Sequence, residues 1–171
     1  MSAEPARFRA WMGRWPTGVS IVTAAEAGRR HGLTVNAFLS VALSPPTVLV
    51  SLSRDTDTEP VIARTGRFAV NLLAYDQRPL SERFARQVPP EEKFEGLPIR
   101  EGRLGIPLLE GTLGSLECTL AQSFTSGDHQ LLLGTVEQIV EGREAPPLLF
   151  YRSHYGESDP AGRLTLAGAP P

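Results

Sequence analysis

The sequence predicts a mainly β protein, an antiparallel barrel with a few peripheral helices. Short runs of aliphatic and β-branched residues alternate with turns that contain glycine or proline, which is typical of all-β folds. Helical segments are too few to supply the crossover connections that a parallel, doubly wound sheet needs. With 171 residues, the chain is long enough for one domain with a substantial apolar core.

The first predicted element is a short helix near the N-terminus. Phe8, Trp11, Met12 and Trp15 recur at spacings of three and four residues, which places them on one helical stripe. Pro16 ends the helix, because proline cannot continue the backbone hydrogen-bond pattern. We expect the aromatic stripe to pack into the core or against a second copy of the chain.

Three strands and a helix follow. Residues 18–24 and 32–37 are rich in β-branched side chains and predict a hairpin around a polar loop at 26–31. After two prolines, residues 47–53 predict a buried third strand. Residues 58–65 predict a short helix that Asp57 caps at its start and Gly66 ends.

The middle of the chain predicts a strand, a helix and a long loop. Residues 67–73 read as a strand, and residues 76–86 as a helix with Leu80, Phe84 and Ala85 facing inward. Residues 88–110 hold several prolines and glycines, which predicts an irregular excursion of the kind that often carries function or a subunit contact.

A second hairpin is predicted near the C-terminus. Residues 115–124 alternate, with Leu116, Cys118 and Leu120 on one face, and residues 129–140 pair with them through a turn. After Tyr155 the chain is rich in glycine, alanine and proline. We therefore expect one domain over residues 1–156 and a flexible tail over 157–171.

Composition excludes several classes of partner and location. The 17 basic residues are scattered among 19 acidic ones, so the sequence predicts no nucleic-acid binding. The single cysteine, Cys118, fits a reducing compartment and a buried strand position. The N-terminal residues lack the order of a signal peptide, and no apolar run is long enough to span a membrane. These features predict a cytoplasmic protein without a membrane segment.

Common catalytic and cofactor motifs are missing. No G-x-G-x-x-G follows a strand, which disfavours a Rossmann dinucleotide fold. Lys93 is the only lysine, so a P-loop is excluded. The three histidines are far apart in sequence without a patterned set of cysteines or carboxylates, so no metal site is expected. No G-x-S-x-G elbow is present, which disfavours a hydrolase.

His129 is the most informative single residue. It follows the turn residues Gly127 and Asp128 and opens an apolar strand, so its imidazole is held where it can contact a ligand. For an isolated glycine-aspartate-histidine sequence, the simpler interpretation is a half-exposed turn histidine. Other segments of the chain change that balance.

In order and spacing, four segments resemble the flavin reductase-like family of FMN-binding split barrels. The resemblance extends from about Phe8 to about Tyr155, nearly the whole chain. It implies a six-stranded split β-barrel assembled as a homodimer, with flavin as the bound group. The segments are Gly32-Leu33-Thr34-Val35-Asn36-Ala37-Phe38-Leu39-Ser40, Ser44-Pro45-Pro46-Thr47-Val48-Leu49-Val50-Ser51-Leu52-Ser53, Phe68-Ala69-Val70-Asn71-Leu72-Leu73 and Pro147-Leu148-Leu149-Phe150-Tyr151.

The resemblance also implies a set of flavin-binding residues. A flavin needs an apolar slot and hydrogen bonds for its ring, and hydroxyls, amides and a guanidinium for its phosphate. For the residues matched to the ring, the alternative interpretation is an ordinary strand end. For those matched to the phosphate, it is simple helix capping. The segment matched to the ring contains Thr34, Val35, Asn36, Ala37 and Ser40, and the region matched to the phosphate contains Ser51, Ser53, Arg54, Thr56 and Thr58.

The activity implied is transfer of hydride from NADH or NADPH to FMN or FAD, with the reduced flavin passed to a partner monooxygenase. His129 is then expected to contact the nicotinamide or the flavin edge, since a histidine can hydrogen-bond in either protonation state. Three alternatives stay open at this point: a split barrel that oxidises pyridoxamine phosphate, a non-catalytic flavin or haem carrier, and a structural dimer.

Overall fold

The computed structural model describes residues 3–158 and 164–166 of the chain. As the sequence predicts, this part of the protein is mainly β. The helices are α1 (Pro5–Met12), α2 (Thr58–Thr65), α3 (Arg78–Phe84) and α4 (Pro90–Phe94), and Tyr75–Gln77 forms a 3₁₀ turn. The strands are β1 (Thr17–Gly18), β2 (Ser20–Glu26), β3 (Arg29–Val35), β4 (Phe38–Leu43), β5 (Pro46–Ser53), β6 (Arg67–Leu72), β7 (Ile99–Glu101), β8 (Pro107–Leu109), β9 (Gly114–Ser126), β10 (His129–Glu141), β11 (Leu148–Tyr151), β12 (His154–Ser158) and β13 (Leu164–Leu166).

The main sheet is antiparallel and strongly curved. Its strand order is β3-β2-β6-β9-β10-β5-β4, so two consecutive strands, β3 and β4, lie at opposite edges. A flat sheet would separate these edges by six spacings, or about 29 Å. Only Asn36 and Ala37 join the two strands, and three Cα steps span at most about 11 Å. The sheet must therefore curl until its edges meet at this link, where the Ser51 N–H donates to the Ala37 carbonyl at 2.9 Å.

The expected count of six strands is not confirmed. The main sheet has seven strands, and within the described residues its hydrogen-bond ladder does not close between β3 and β4. The count of six is what the resemblance implies, whereas here the chain ends one strand at Val35 and begins the next, at the opposite edge, at Phe38. Two smaller sheets, β1-β11-β12-β13 and β7-β8, complete the described fold.

Both predicted hairpins are confirmed, with a correction to the first. The β2–β3 turn consists only of Ala27 (φ 50°) and Gly28 (φ 79°), as a type I′ turn requires. His31 lies within β3 opposite Ala24, so the polar loop expected at 26–31 is wrong. Burial, and then the nearby Arg29 charge, hold the pKa of His31 below its usual value. In the second hairpin, β9 and β10 are joined by a two-residue turn that begins at Gly127 (φ 60°).

The helix predicted at 58–65 is confirmed, but not its cap. The Asp57 side chain makes no capping hydrogen bond, and the Thr56 hydroxyl instead accepts the Glu59 N–H at 3.4 Å. Gly66 ends α2 in the left-handed region, at φ 67°.

The elements predicted between residues 76 and 110 need correction. The helix predicted at 76–86 is shorter: after the 3₁₀ turn, α3 covers Arg78–Phe84, and Ala85 is exposed rather than inward. The predicted loop 88–110 contains α4, β7 and β8.

The aromatic stripe of α1 does not enter the core. The helix ends at Met12 rather than at Pro16, so Trp15 lies beyond its end. Phe8, Trp11, Met12 and Trp15 are 46–69% exposed, which excludes the core interpretation for this chain alone. Glu4 caps the helix, because its carboxylate accepts the N–H groups of two first-turn residues. The interpretation that remains is a contact with a second copy of the chain.

The core has one centre inside the curled sheet and two beside it. Val50, Phe68, Cys118 and Leu132 pack inside, and Val61 and Ile62 of α2 pack against them. Burial raises the pKa of Cys118 to about 12, so its thiol stays protonated, as expected of a core residue. One flanking cluster joins α3, α4 and β11 to the sheet. The other lies under the β7–β8 hairpin, where Ala69 contacts Ile106 and Leu108.

Asn71 joins β8 to the centre of the main sheet. Its amide nitrogen donates to the Ile21 carbonyl (3.0 Å) and the Thr23 hydroxyl (3.1 Å). Its amide oxygen accepts the Leu109 N–H (3.0 Å) and the Ser115 hydroxyl (2.8 Å). Because Asn71 is fully buried, all of these bonds form away from water. Asn71, which lies in one of the four segments that carry the family resemblance, is therefore a structural residue.

The sequence predicts a flexible tail from residue 157. β12 runs through residue 158, and β13 pairs with it at Leu164–Leu166. Residues 159–163 and 167–171 of the predicted tail lie outside the described residues. The domain boundary after residue 156 stays a prediction.

Candidate functional site

A cleft of about 630 Å³ lies between the edge of β3, the loop that follows β5, and the segment from α3 to α4. We call it the main cleft. Four of the predicted flavin-binding residues line it: Thr34, Ser53, Thr56 and Thr58. Folding thus brings together residues from both halves of the predicted site. The reason is that the curled sheet places β3 close to the end of β5 although they are not neighbours in the ladder.

The loop from Ser53 to Thr58 is organised by its own hydroxyls. The Thr56 hydroxyl donates to the Ser53 carbonyl at 3.0 Å, and the Ser53 hydroxyl accepts the Asp55 N–H at 3.4 Å. Thr58 is buried at the first position of α2. Asp55 and Asp57 also line the main cleft, so an anion bound there needs positive charge to offset theirs.

Lys93 is a cleft residue that we did not predict as part of the site. Its ammonium donates to the carbonyls of Gly32 (3.2 Å) and Phe84 (3.4 Å), and it lines the main cleft together with Arg86. Burial lowers the pKa of Lys93, and the Asp57 charge acts against that shift. An ammonium has three donors, so one remains for an anion. The sequence feature that could have indicated this role is that Lys93 is the only lysine in the chain.

The β3–β4 segment places its predicted residues in different surroundings. The Thr34 hydroxyl donates to the Ser81 carbonyl of α3 at 2.6 Å, which holds this edge of the cleft. Val35 is in the core, so only its backbone can contact a ligand. Asn36, Ala37 and Ser40 are exposed and do not line the main cleft.

A smaller apolar cavity lies beside the link between β3 and β4. Its volume is about 210 Å³, and its lining includes Phe38, Leu72 and Leu148. Phe38 follows Ala37 directly and packs against the central core as well. The region next to the exposed link therefore offers an apolar surface of the kind that a flat aromatic ring requires.

The second hairpin brings His129 to the end of β5. His129 is opposite Ser53 in the β10–β5 ladder, and Leu131 is opposite Ser51. The Arg54 N–H donates to the Asp128 carbonyl at 3.0 Å, which ties the hairpin turn to the loop after β5. The exposed Arg54 side chain does not line the main cleft. His129 thus lies next to the predicted phosphate-binding region without lining the cleft itself.

A neighbouring carboxylate orients the His129 ring. Nδ1 of His129 is 2.8 Å from Oδ1 of Asp128, and this bond holds the pKa of Asp128 below its usual value. In a neutral ring, the proton on Nδ1 is donated to the carboxylate, which leaves Nε2 as an acceptor. The His129 side chain is 44% exposed, so Nε2 is available to a ligand.

Within residues 3–158 and 164–166, no three histidine, cysteine, aspartate or glutamate side chains are grouped as a metal ion would require. In the same part of the chain, no helix combines the length and apolar character needed to cross a bilayer.

Comparison with known proteins places the chain in a family. The model of the flavin reductase like domain matches residues 12–159. An NADH-dependent flavin reductase of a Rhodococcus species is 40% identical over 167 residues, covering 93% of this chain and 89% of the relative. The reductase subunit HsaB of a flavin-dependent monooxygenase of Rhodococcus jostii is 37% identical over 157 residues, covering 92% and 80%.

A solved structure agrees with this assignment. The NADH:FAD oxidoreductase SgcE6 of Streptomyces globisporus C-1027, in complex with NAD and FAD fragments, superposes with a TM-score of 0.87. It is 28% identical, and the match covers 95% of this chain and 99% of that one. The chain belongs to the flavin reductase like domain family.

Proposed function

We propose that this protein is an NAD(P)H-dependent flavin reductase that supplies reduced flavin to a partner monooxygenase. The observation that carries the proposal is the pairing of β10 with β5, which places His129 beside Ser53 and the hydroxyl-rich loop after it. A residue expected at the nicotinamide and residues expected at the flavin phosphate are thereby neighbours. Relatives named as a flavin reductase and as a monooxygenase reductase subunit support the same reaction.

The protein's task in this reaction is to position two ligands. When bound, the flavin accepts a hydride from the nicotinamide, so the rings must approach to about 3–3.5 Å. The hydroxyls of Ser53 and Thr58 and the ammonium of Lys93 would donate to the flavin phosphate. Thr56, whose hydroxyl proton is donated to the Ser53 carbonyl, would order the loop around it. The exposed link at Asn36 and Ala37 would run along the ring. No strong acid or base is required of the chain.

For His129 we propose a contact with the nicotinamide. With Nδ1 bonded to Asp128, Nε2 of the neutral ring can accept a hydrogen bond from the carboxamide N–H of the nicotinamide. Protonation would turn Nε2 into a donor, which suits a carbonyl or phosphate oxygen instead. Either contact orients the dinucleotide and transfers no proton.

The electron donor and the flavin are the finer parts of the proposal. The names of the Rhodococcus flavin reductase and of SgcE6 both contain NADH as the electron donor, and the name of SgcE6 also contains FAD. We propose NADH as donor, with NADPH as the alternative, and FAD or FMN as the flavin. A cytoplasmic location stays a prediction that rests on composition.

The assay that tests the function is NADH oxidation with added FMN, FAD or riboflavin. We expect oxidation that requires both the protein and a flavin, with anaerobic bleaching of the flavin. Flavin binding without NADH oxidation would instead indicate a carrier. Oxidation of pyridoxamine phosphate without NADH would indicate the other split-barrel class, and absence of flavin binding would contradict every flavin hypothesis.

We also propose that two copies associate through the outer face of the main sheet. Leu39, Leu49 and Leu133 are in register across β4, β5 and β10, and Leu131 is opposite Phe124 of β9. Since their strand neighbours point into the core, these side chains face outward. Leu39 is 52% exposed and Phe124 is 49% exposed, which makes a contiguous apolar surface unusual for a monomer.

A second copy on this face would border the flavin site. Ser51, Ser53 and His129 lie on the same outer face, because they alternate with buried strand neighbours or pair with outward residues. The exposed aromatic stripe of α1 is a further apolar surface that such an assembly could cover. A dimer contact therefore remains the explanation for an apolar stripe that is exposed in the single chain.

The dimer predicts the effect of a charge on the outer face. We expect Leu131→Asp to convert a dimer into a monomer, because an unpaired charge in an apolar interface is strongly unfavourable. Sedimentation equilibrium measures the result. Tyr75→Asp is the matched control, since Tyr75 is exposed but lies outside the sheet face. A wild-type monomer, or equal dissociation by both variants, would contradict the proposal.

A further inference from the structure

A second cleft, of about 500 Å³, lies between the β2–β3 turn, the start of β6 and the β7–β8 hairpin. Three arginines line it, Arg30, Arg67 and Arg100, and we call it the arginine cleft. It shares no lining residue with the main cleft. Nothing in the proposed reaction requires it.

The three arginines meet because one sheet face is covered by the β7–β8 hairpin. The Thr23 hydroxyl donates to the Pro107 carbonyl of the hairpin at 2.7 Å, so Thr23 lies on the covered face. Ala25 is two residues further along β2, and Arg30 is opposite Ala25 in the β2–β3 ladder. Arg67 precedes Ala69, which packs under the hairpin, by two residues. The period of two therefore places both arginines on the covered face, and Arg100 comes from the hairpin itself.

The wall of the arginine cleft is held in place before any ligand binds. Glu117, which is fully buried, accepts the N–H groups of Arg103 (2.9 Å) and Leu104 (2.7 Å). Nη1 of Arg67 donates to the Leu104 carbonyl at 2.9 Å. These bonds fix the turn of the hairpin on the sheet. The cleft is thus pre-organised, which lowers the entropic cost of binding.

The charge in the arginine cleft is positive on balance. None of its three arginines forms an ion pair with a carboxylate in the described part of the chain. Of the two acidic lining residues, Glu26 accepts hydrogen bonds from Nε and Nη2 of Arg64 at 2.9 and 2.7 Å. Glu101 is the other acidic lining residue. Within the described residues, the cleft lining therefore holds three arginines and one glutamate, Glu101, that form no ion pair.

We propose that the arginine cleft binds a small polyanion, a molecule with two or more phosphate or carboxylate groups. Guanidinium groups bind both kinds of oxyanion through paired N–H donors, and several of them around one cleft select for multiple negative charge. The cleft volume suits a small molecule. This site is separate from the flavin site and does not depend on the proposed reductase activity.

The test is isothermal titration calorimetry of the full chain with inorganic pyrophosphate, and in a second arm with citrate. We expect saturable binding of one equivalent that weakens at higher salt. Arg30→Gln and Arg100→Gln should each weaken it at least about tenfold, which corresponds to 1.4 kcal/mol. Neither side chain forms a hydrogen bond in the described structure, so both variants should fold. Comparison of the two dissociation constants shows whether the cleft prefers phosphate or carboxylate groups.

Two control variants make the result specific. Arg103→Gln removes an exposed charge from the same hairpin without touching the cleft lining, and we expect unchanged binding. Arg54→Gln removes a charge next to the main cleft and should also have no effect. Absence of saturable binding, an equal loss in Arg103→Gln, or a loss confined to Arg54→Gln would each overturn the proposal. NADH oxidation by the Arg30 and Arg100 variants should stay at the wild-type rate.

Discussion

Asn71→Ala is expected to lower the free energy of unfolding by about 3 kcal/mol. The variant leaves the Leu109 N–H and the Ser115 hydroxyl without their acceptor, in a site closed to water. Urea denaturation at an unchanged slope measures the loss. Ser115→Ala, which removes a single hydrogen bond to the same amide, should cost only about 1 kcal/mol.

Asn36→Ala is the matched control for this prediction. Asn36 is exposed at the link between β3 and β4, so its removal should change stability by less than about 0.5 kcal/mol. It should instead weaken flavin binding if the link runs along the ring. Equal stability of the Asn71 and Asn36 variants would show that the buried network does not hold β8 to the sheet.

His129→Ala is expected to raise KM for NADH at least about tenfold with a smaller change in kcat. A hydrogen bond to the nicotinamide worth about 1.4 kcal/mol accounts for a factor of that size. Stability should hardly change, because the hydrogen bond of the ring within the protein is made to the exposed Asp128. Steady-state kinetics with saturating flavin measures the effect.

His154→Ala is the control for His129. His154 is also exposed and bonds only a nearby carbonyl, that of Arg152, at 2.7 Å, but it lies on β12 away from the β5–β10 pair. Its kinetics should match the wild type. Identical KM values for the two histidine variants would remove His129 from the nicotinamide site while leaving the flavin proposal intact.

Local features were predictable because they depend on short stretches of chain. Gly127 opens the second hairpin, and alternation along β9 places Cys118 in the core with Leu116 and Leu120 packed against it. The bounds of α2 also follow from its neighbours, since Gly66 is free to adopt a positive φ at its end. Each of these features needs only the conformational preferences of adjacent residues.

The exposed aromatic stripe at the N-terminus depends on more than local sequence. Its spacing is that of a core helix, yet Trp11 and Trp15 are exposed in the single chain. Periodicity reports that a face is apolar, and it does not report what covers that face. Likewise, a predicted loop contains the strands β7 and β8, because the buried Asn71 and Thr23 form hydrogen bonds with β8 from distant strands and β7 pairs with β8.

The sequence by itself determined the mainly β class, the two hairpins and the residues whose types suit a flavin, because backbone preferences and side-chain chemistry are properties of short segments. Only the tertiary structure decided that the sheet has seven strands, that Lys93 reaches the carbonyl of Gly32, and that His129 lies opposite Ser53. These facts join residues about 60 to 76 positions apart, and the curl of the sheet around its core sets them rather than any local preference.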